Sequence, residues 1–136
     1  MANEAVCIVK PTSIATRICA DAVAIPKGTL CKLSGTNIAI ANPVDMSGAA
    51  FAGITIEEKT ASDGVTTIGC ALDGVWDIRS GTDAAALTTG GLVSMSGSNM
   101  VHTATADNLL IGAIIGKIEE IKSAAADTIR VRLLGV

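Results

Sequence analysis

The chain is expected to fold as an all-β domain: one compact barrel or sandwich, jelly-roll-like or β-tulip-like, built from two similar hairpin-rich halves with an N-terminal arm. Three features lead there. The phrase "LCKLSGTNIAI" (30–40) returns as "LVSMSGSNMVH" (92–102). Each copy sets a Ser-Gly-x-Asn centre between short apolar runs, which is hairpin chemistry, because Gly and Asn tolerate the positive-φ geometry of tight turns. Phe51 and Trp76 are the only aromatics, so the interior must be filled by Ala, Val, Ile and Leu.

Residues 1–20 have no counterpart elsewhere in the chain and read as an extended arm. Its apolar run "AVCIV" (5–9) precedes Pro11. So short an apolar strand is not stable alone in water and must join a sheet edge of its own chain or of a neighbour. Val6, Ile8 and Val9 are therefore candidate interface residues.

Residues 21–136 form the single domain, with copies at about 22–75 and 84–136. Gly28 matches Gly90, Gly53 matches Gly112, and "TIGCALDGV" (67–75) matches "TIRVRLLGV" (128–136). Neither half is expected to bury its apolar face without the other. Alternation places Cys31, Leu33, Ile38 and Ile40 on one face, with Val93, Met95, Met100 and His102 as their equivalents. In the last strand Ile129, Val131 and Leu133 point inward, and Thr128, Arg130, Arg132 and Leu134 outward; Ile68, Cys70 and Leu72 are the inward set of the first copy. The segment "NLLIGAIIGKIEEIKSAAAD" (108–127) has near-helical apolar spacing. Its repeat partner "FAGITIEEKTASDG" favours strand and loop, which extends the strand assignment to 110–118 and leaves a helix as its rival.

A chain of 136 residues is one domain's length, and its net charge of −3 with scattered Lys and Arg lacks the footprint of a nucleic-acid binder. The longest apolar stretch, Leu109 to Ile115, is far below the ~20 residues of a spanning helix. The opening "MANEAVCIVK" lacks a leading positive cluster, so synthesis in a host cytoplasm is expected.

Reactive centres are hard to assemble from these residues. Cys7, Cys19, Cys31 and Cys70 contain no C-x-x-C pair, and Cys31 and Cys70 stand where the second copy has Val93 and Val131, so packing is their expected role. His102, the lone histidine, has only Asp107 nearby in sequence and is expected at a sheet end or subunit contact. Asp73 and Asp77 flank "GVW", and Asp63, Asp83 and Asp127 read as turn residues. Glu57, Glu58, Glu119 and Glu120 mark a solvated edge. No catalytic, cofactor-binding or metal-binding residues are assigned. Trp76, in "DGVWDI", either caps the core or anchors a contact. Arg130 and Arg132 replace Gly69 and Ala71 of the first copy and are expected to pair with acids on a neighbour.

"GVW" (74–76), "LIGAII" (110–115) and the alternating "TIRVRLLGV" together resemble the capsid cement, or decoration, proteins of tailed double-stranded-DNA bacteriophages, over most of residues 22–136. The resemblance implies a non-enzymatic virion protein on the outer surface of an icosahedral head. Its partners would be the major capsid protein and further copies of itself, a trimer favoured over a dimer, with no cofactor, nucleic acid or membrane. Such a protein cements adjacent capsomers against the pressure of packed DNA. Two other readings stand beside it, a tail or baseplate component and a small β-fold nucleotide hydrolase.

Overall fold

The computed structural model describes residues 4–34, 40–43, 50–80, 87–95, 99–104, 114–121 and 128–134, with the backbone alone at 40–43 and 103. The described residues contain eleven strands and no helix: β1 (Val6–Val9), β2 (Ile14–Ile18), β3 (Leu30–Ser34), β4 (Ile40–Pro43), β5 (Phe51–Thr55), β6 (Thr67–Ala71), β7 (Val75–Ser80), β8 (Leu92–Met95), β9 (Met100–Thr103), β10 (Ile114–Ile121) and β11 (Thr128–Leu133). The all-β expectation holds. Residues 114–121 are strand despite their near-helical spacing, because Ile114, Ile115 and Ile118 are buried between β8 and β11.

The two halves are two rings of the same topology. Strands β2-β4-β3-β5-β6 close a barrel, antiparallel throughout except for the parallel β2–β4 contact. In the second half β7-β11-β10-β8-β9 run in the corresponding order, and a parallel β7–β9 pairing returns the ring to its start. The registers agree pair for pair. Ile14↔Ala71 through Ile18↔Thr67 correspond to Val75↔Arg132 through Arg79↔Thr128. The repeat therefore begins at β2 and β7, further toward the N-terminus than sequence matching places it. "IATRI" and "VWDIR" share no residue at matched positions.

Even the irregularity is repeated. The β3–β5 ladder slips between Cys31↔Gly53 and Lys32↔Phe51, and the β8–β10 ladder slips between Val93↔Gly116 and Ser94↔Ile114. Such a bulge turns a short strand sharply enough to close a small ring. The structural equivalent of Gly53 is thus Gly116 and not Gly112, which lies outside the described residues. Both glycines sit where a Cβ would collide with the last strand of their ring. At Gly53 (φ +130) it would meet Cys70 Cβ at 2.7 Å, and at Gly116 it would meet Val131 Cγ1 at 2.7 Å.

Lys32 faces Asn42 across β3–β4, whereas Ser94, the equivalent of Lys32, faces His102 across β8–β9. His102 therefore corresponds to Asn42 rather than Ile40, because the second hairpin is shorter. The inward residue of β9 is Val101, fully buried beside Met95, while Met100 and His102 are only half-buried. The turns at 35–39 and 96–98, together with Ile38, Asp83, Asp107 and Asp127, lie outside the described residues. Asn99 does adopt the left-handed geometry expected of such a turn, with φ 54.

Two apolar clusters form the interior. Cys19, Ile25, Cys31, Ala52, Ile68 and Cys70 fill the first barrel. The larger cluster fills the second ring with Val93, Met95, Val101, Ile115, Ile129 and Val131 and continues into Leu30, Ile54 and Ala71 of the first. The halves thus share a core. Lys59 ties the loop after β2 to the one after β5: its buried ammonium donates to the carbonyls of Asp21 (2.6 Å) and Thr60 (3.1 Å) and pairs with Asp63.

Candidate interaction surface

β1 joins its own chain. It runs antiparallel to β7, with Val6 opposite Asp77 and Cys7 opposite Trp76, and Ile8 falls in a register slip before Val9↔Val75. Its start is tied to the first barrel, where the Ala5 N–H donates to the Gly28 carbonyl at 2.8 Å. The stretch read as an arm is therefore divided between the two rings, β1 extending the second and β2 walling the first. β1 has one strand neighbour and leaves its apolar side chains in water: Val6 is 59% exposed, Ile8 41% and Val9 49%. Ile14 and Ile18 on β2 are also exposed. Exposed β-branched residues on an edge strand make that strand a candidate contact surface.

The connection from β1 to β2 is clamped at the junction of the rings. Asp73, in the β6–β7 link, accepts from the Thr12 N–H (2.8 Å), the Thr12 hydroxyl (2.5 Å) and the Ser13 N–H (2.9 Å). The Thr12 hydroxyl, reinforced by the backbone donors, holds the Asp73 carboxyl below the usual carboxylate range. Leu72 N–H donates to the Ser13 carbonyl at 2.9 Å. Gly74 (φ +97) then presses its backbone against the Val9 carbonyl, where a Cβ would come within 2.7 Å. The sequence marks Asp73 only as a flank of "GVW", because its donors are some sixty positions away.

Trp76 is in the core, 3% exposed, and its indole N–H donates to the Asp73 carbonyl at 3.2 Å. Its edge still reaches a cleft of about 340 Å³ between β1 and the first barrel, lined by Cys7, Lys10, Ile14, Lys27, Ile56 and Trp76 beside Pro11. Among these, Lys10, Ile14 and Lys27 carry no sequence signal of their own.

Arg130 and Arg132 point outward as expected, and both find acidic partners within the chain. Arg130 grips Asp77, directly opposite on β7, through Nε (2.9 Å) and Nη2 (3.2 Å), and lies 3.8 Å from Glu120. The carboxylate of Asp77 raises the Arg130 pKa further. Arg132 pairs with Glu119 on β10. Cross-strand acids supply the partners, and a single sequence cannot reveal which strands will lie side by side.

Among the remaining chemistry-bearing groups, Cys19, Cys31, Cys70 and Ser94 are held inside. The Cys31 thiol, buried in the first barrel, donates to the Thr29 carbonyl at 3.8 Å, and the neighbouring Cys70 thiol together with burial pushes it up. Burial likewise raises Cys19. Cys7 alone among the four is exposed, and no disulfide forms. His102 Nε2 lies 3.1 Å from the hydroxyl of Ser94, its cross-strand partner, which is fully buried and so out of reach of a substrate. Among the described residues no three His, Cys, Asp or Glu side chains are grouped to hold a metal, and no helix is long and apolar enough to cross a membrane. Comparison with family profiles, curated proteins and solved structures yields no match.

Proposed function

We propose that this chain is a structural virion protein that decorates the outside of an icosahedral phage head and cements neighbouring capsomers of the major capsid protein, acting without catalysis and as a homo-oligomer. The observation that carries the reading is β1: three β-branched side chains held in water on a strand anchored at both ends to a doubly closed β scaffold. The resemblance of "GVW", "LIGAII" and "TIRVRLLGV" to cement proteins supplies the class of partner. Physically, a shell under internal pressure is strengthened by many identical small contacts, since each contact after the first is effectively intramolecular. A scaffold whose strands are locked by ring closure suits that task, because docking orders little that was disordered before.

The test is copy number in purified particles. A cement protein is present in hundreds of copies on the head and leaves a particle that bursts more readily when stripped off. A handful of copies at one vertex or on the tail would assign the protein to the tail or baseplate instead.

A further inference from the structure

We propose that the cleft between β1 and the first barrel receives an extended partner segment in which aliphatic side chains are flanked by carboxylates. The inference gives the chemistry of the contact and rests on the capsid reading only for the partner's identity. Its walls are apolar: Ile14 is half exposed, and Ile56, Cys7 and the edge of Trp76 complete the lining. At about 340 Å³ it lies at the small end of binding clefts, roughly 300–1,000 Å³, which suits a pair of aliphatic side chains.

The rim sets the charge. Lys10 and Lys27 line the same cleft, both are exposed, and neither has a carboxylate partner among the described residues. Lys59, Arg130 and Arg132, by contrast, are paired with carboxylates. Two unpaired ammonium groups beside an apolar cleft, on a chain of net charge −3, select a partner with acids next to its anchoring side chains.

Trp76, the sole tryptophan, is a built-in reporter. The experiment titrates the full chain with acetyl-Glu-Leu-Thr-Leu-Glu-amide and with the same peptide carrying Lys in place of Glu, following Trp76 emission. The expected result is a saturable change with the acidic peptide, weakening as salt is added, and none with the basic one. Lys10→Glu with Lys27→Glu is expected to reverse the preference, shifting the acidic peptide's affinity by about fivefold or more. No response to the acidic peptide, or a response indifferent to peptide charge and to the double substitution, overturns the proposal. Concentration-dependent self-association that competes with the peptide also overturns it, since a second copy then fills the cleft. If the double substitution leaves attachment to heads unchanged, this inference falls while the capsid reading stands; peptide binding by a protein absent from heads has the opposite meaning.

Discussion

The side-chain oxygen of Asn99, in the hairpin turn of the second ring, accepts the backbone N–H of Leu30, the first residue of β3 in the first ring, at 2.9 Å. Both residues are fully buried, so this hydrogen bond stitches the rings together where water cannot substitute. Asn99 also holds a left-handed backbone (φ 54), so one residue serves the turn and the seam.

Asn99→Gly keeps the backbone permissive but orphans the Leu30 N–H. The expected loss is about 1–3 kcal/mol in urea denaturation. Asn99→Ala should fall lower still, because alanine also resists positive φ. Equal stability of Asn99→Gly and the parent would remove the seam from the account.

Gly53 and Gly116 are expected to be irreplaceable for the same reason. Alanine at either must displace the last strand of its ring, at Cys70 or Val131, and should cost roughly 1–3 kcal/mol, with backbone strain added at Gly53. Thermal unfolding of the two variants checks this. A loss at one glycine only would mean that the rings do not share their closing device.

Acid should loosen the clamp at the ring junction. Donors to Asp73 depress its folded pKa below the unfolded value of about 3.9. Its stabilisation is then full above the unfolded pKa and disappears as pH falls through the folded one. Asp63, held down by the Val65 N–H and by Lys59, acts in the same sense. Denaturation midpoints measured from pH 7 to pH 2 should therefore decline below about pH 4, and Asp73→Asn should be less stable at neutral pH with a shallower acid limb. A parallel acid limb in that variant would contradict the assignment.

Thiol reagents should separate the cysteines. Cys7 is exposed and should react in the folded protein, while Cys19, Cys31 and Cys70 should react only on unfolding. Replacing Cys31 and Cys70 together by valine, as the second ring has it, should cost less than about 1.5 kcal/mol. Loss of folding in that double variant would show that the thiol pair does more than pack.

The parts of the fold legible in the sequence are those whose pattern is local. The hairpin phrases and the alternation of Ile129, Val131 and Leu133 follow from period and turn chemistry, and the strand nature of 114–118 follows from its β-branched repeat partner, against its own near-helical spacing. What stayed hidden depends on strands meeting at long range. β2 and β7 are equivalents with unrelated residues, because β2 is largely solvent-facing whereas β7 is flanked by β1, β9 and β11. Arg130 and Arg132 are visible as outward residues, but their partners Asp77 and Glu119 emerge only with strand order. The β1 surface is half legible: its apolar run is plain, its attachment to β7 is not.

The most direct measurement is attachment to phage heads by a chain in which Val6, Ile8 and Val9 are changed to threonine. Substitution is cleaner than deletion, because β1 also pairs with β7 and buries Ala5. Heads stripped of the protein and re-incubated should take up the parent chain to saturation and the triple variant poorly, although both unfold at similar urea concentrations. Full occupancy by the triple variant would contradict the claim that this strand is the docking surface.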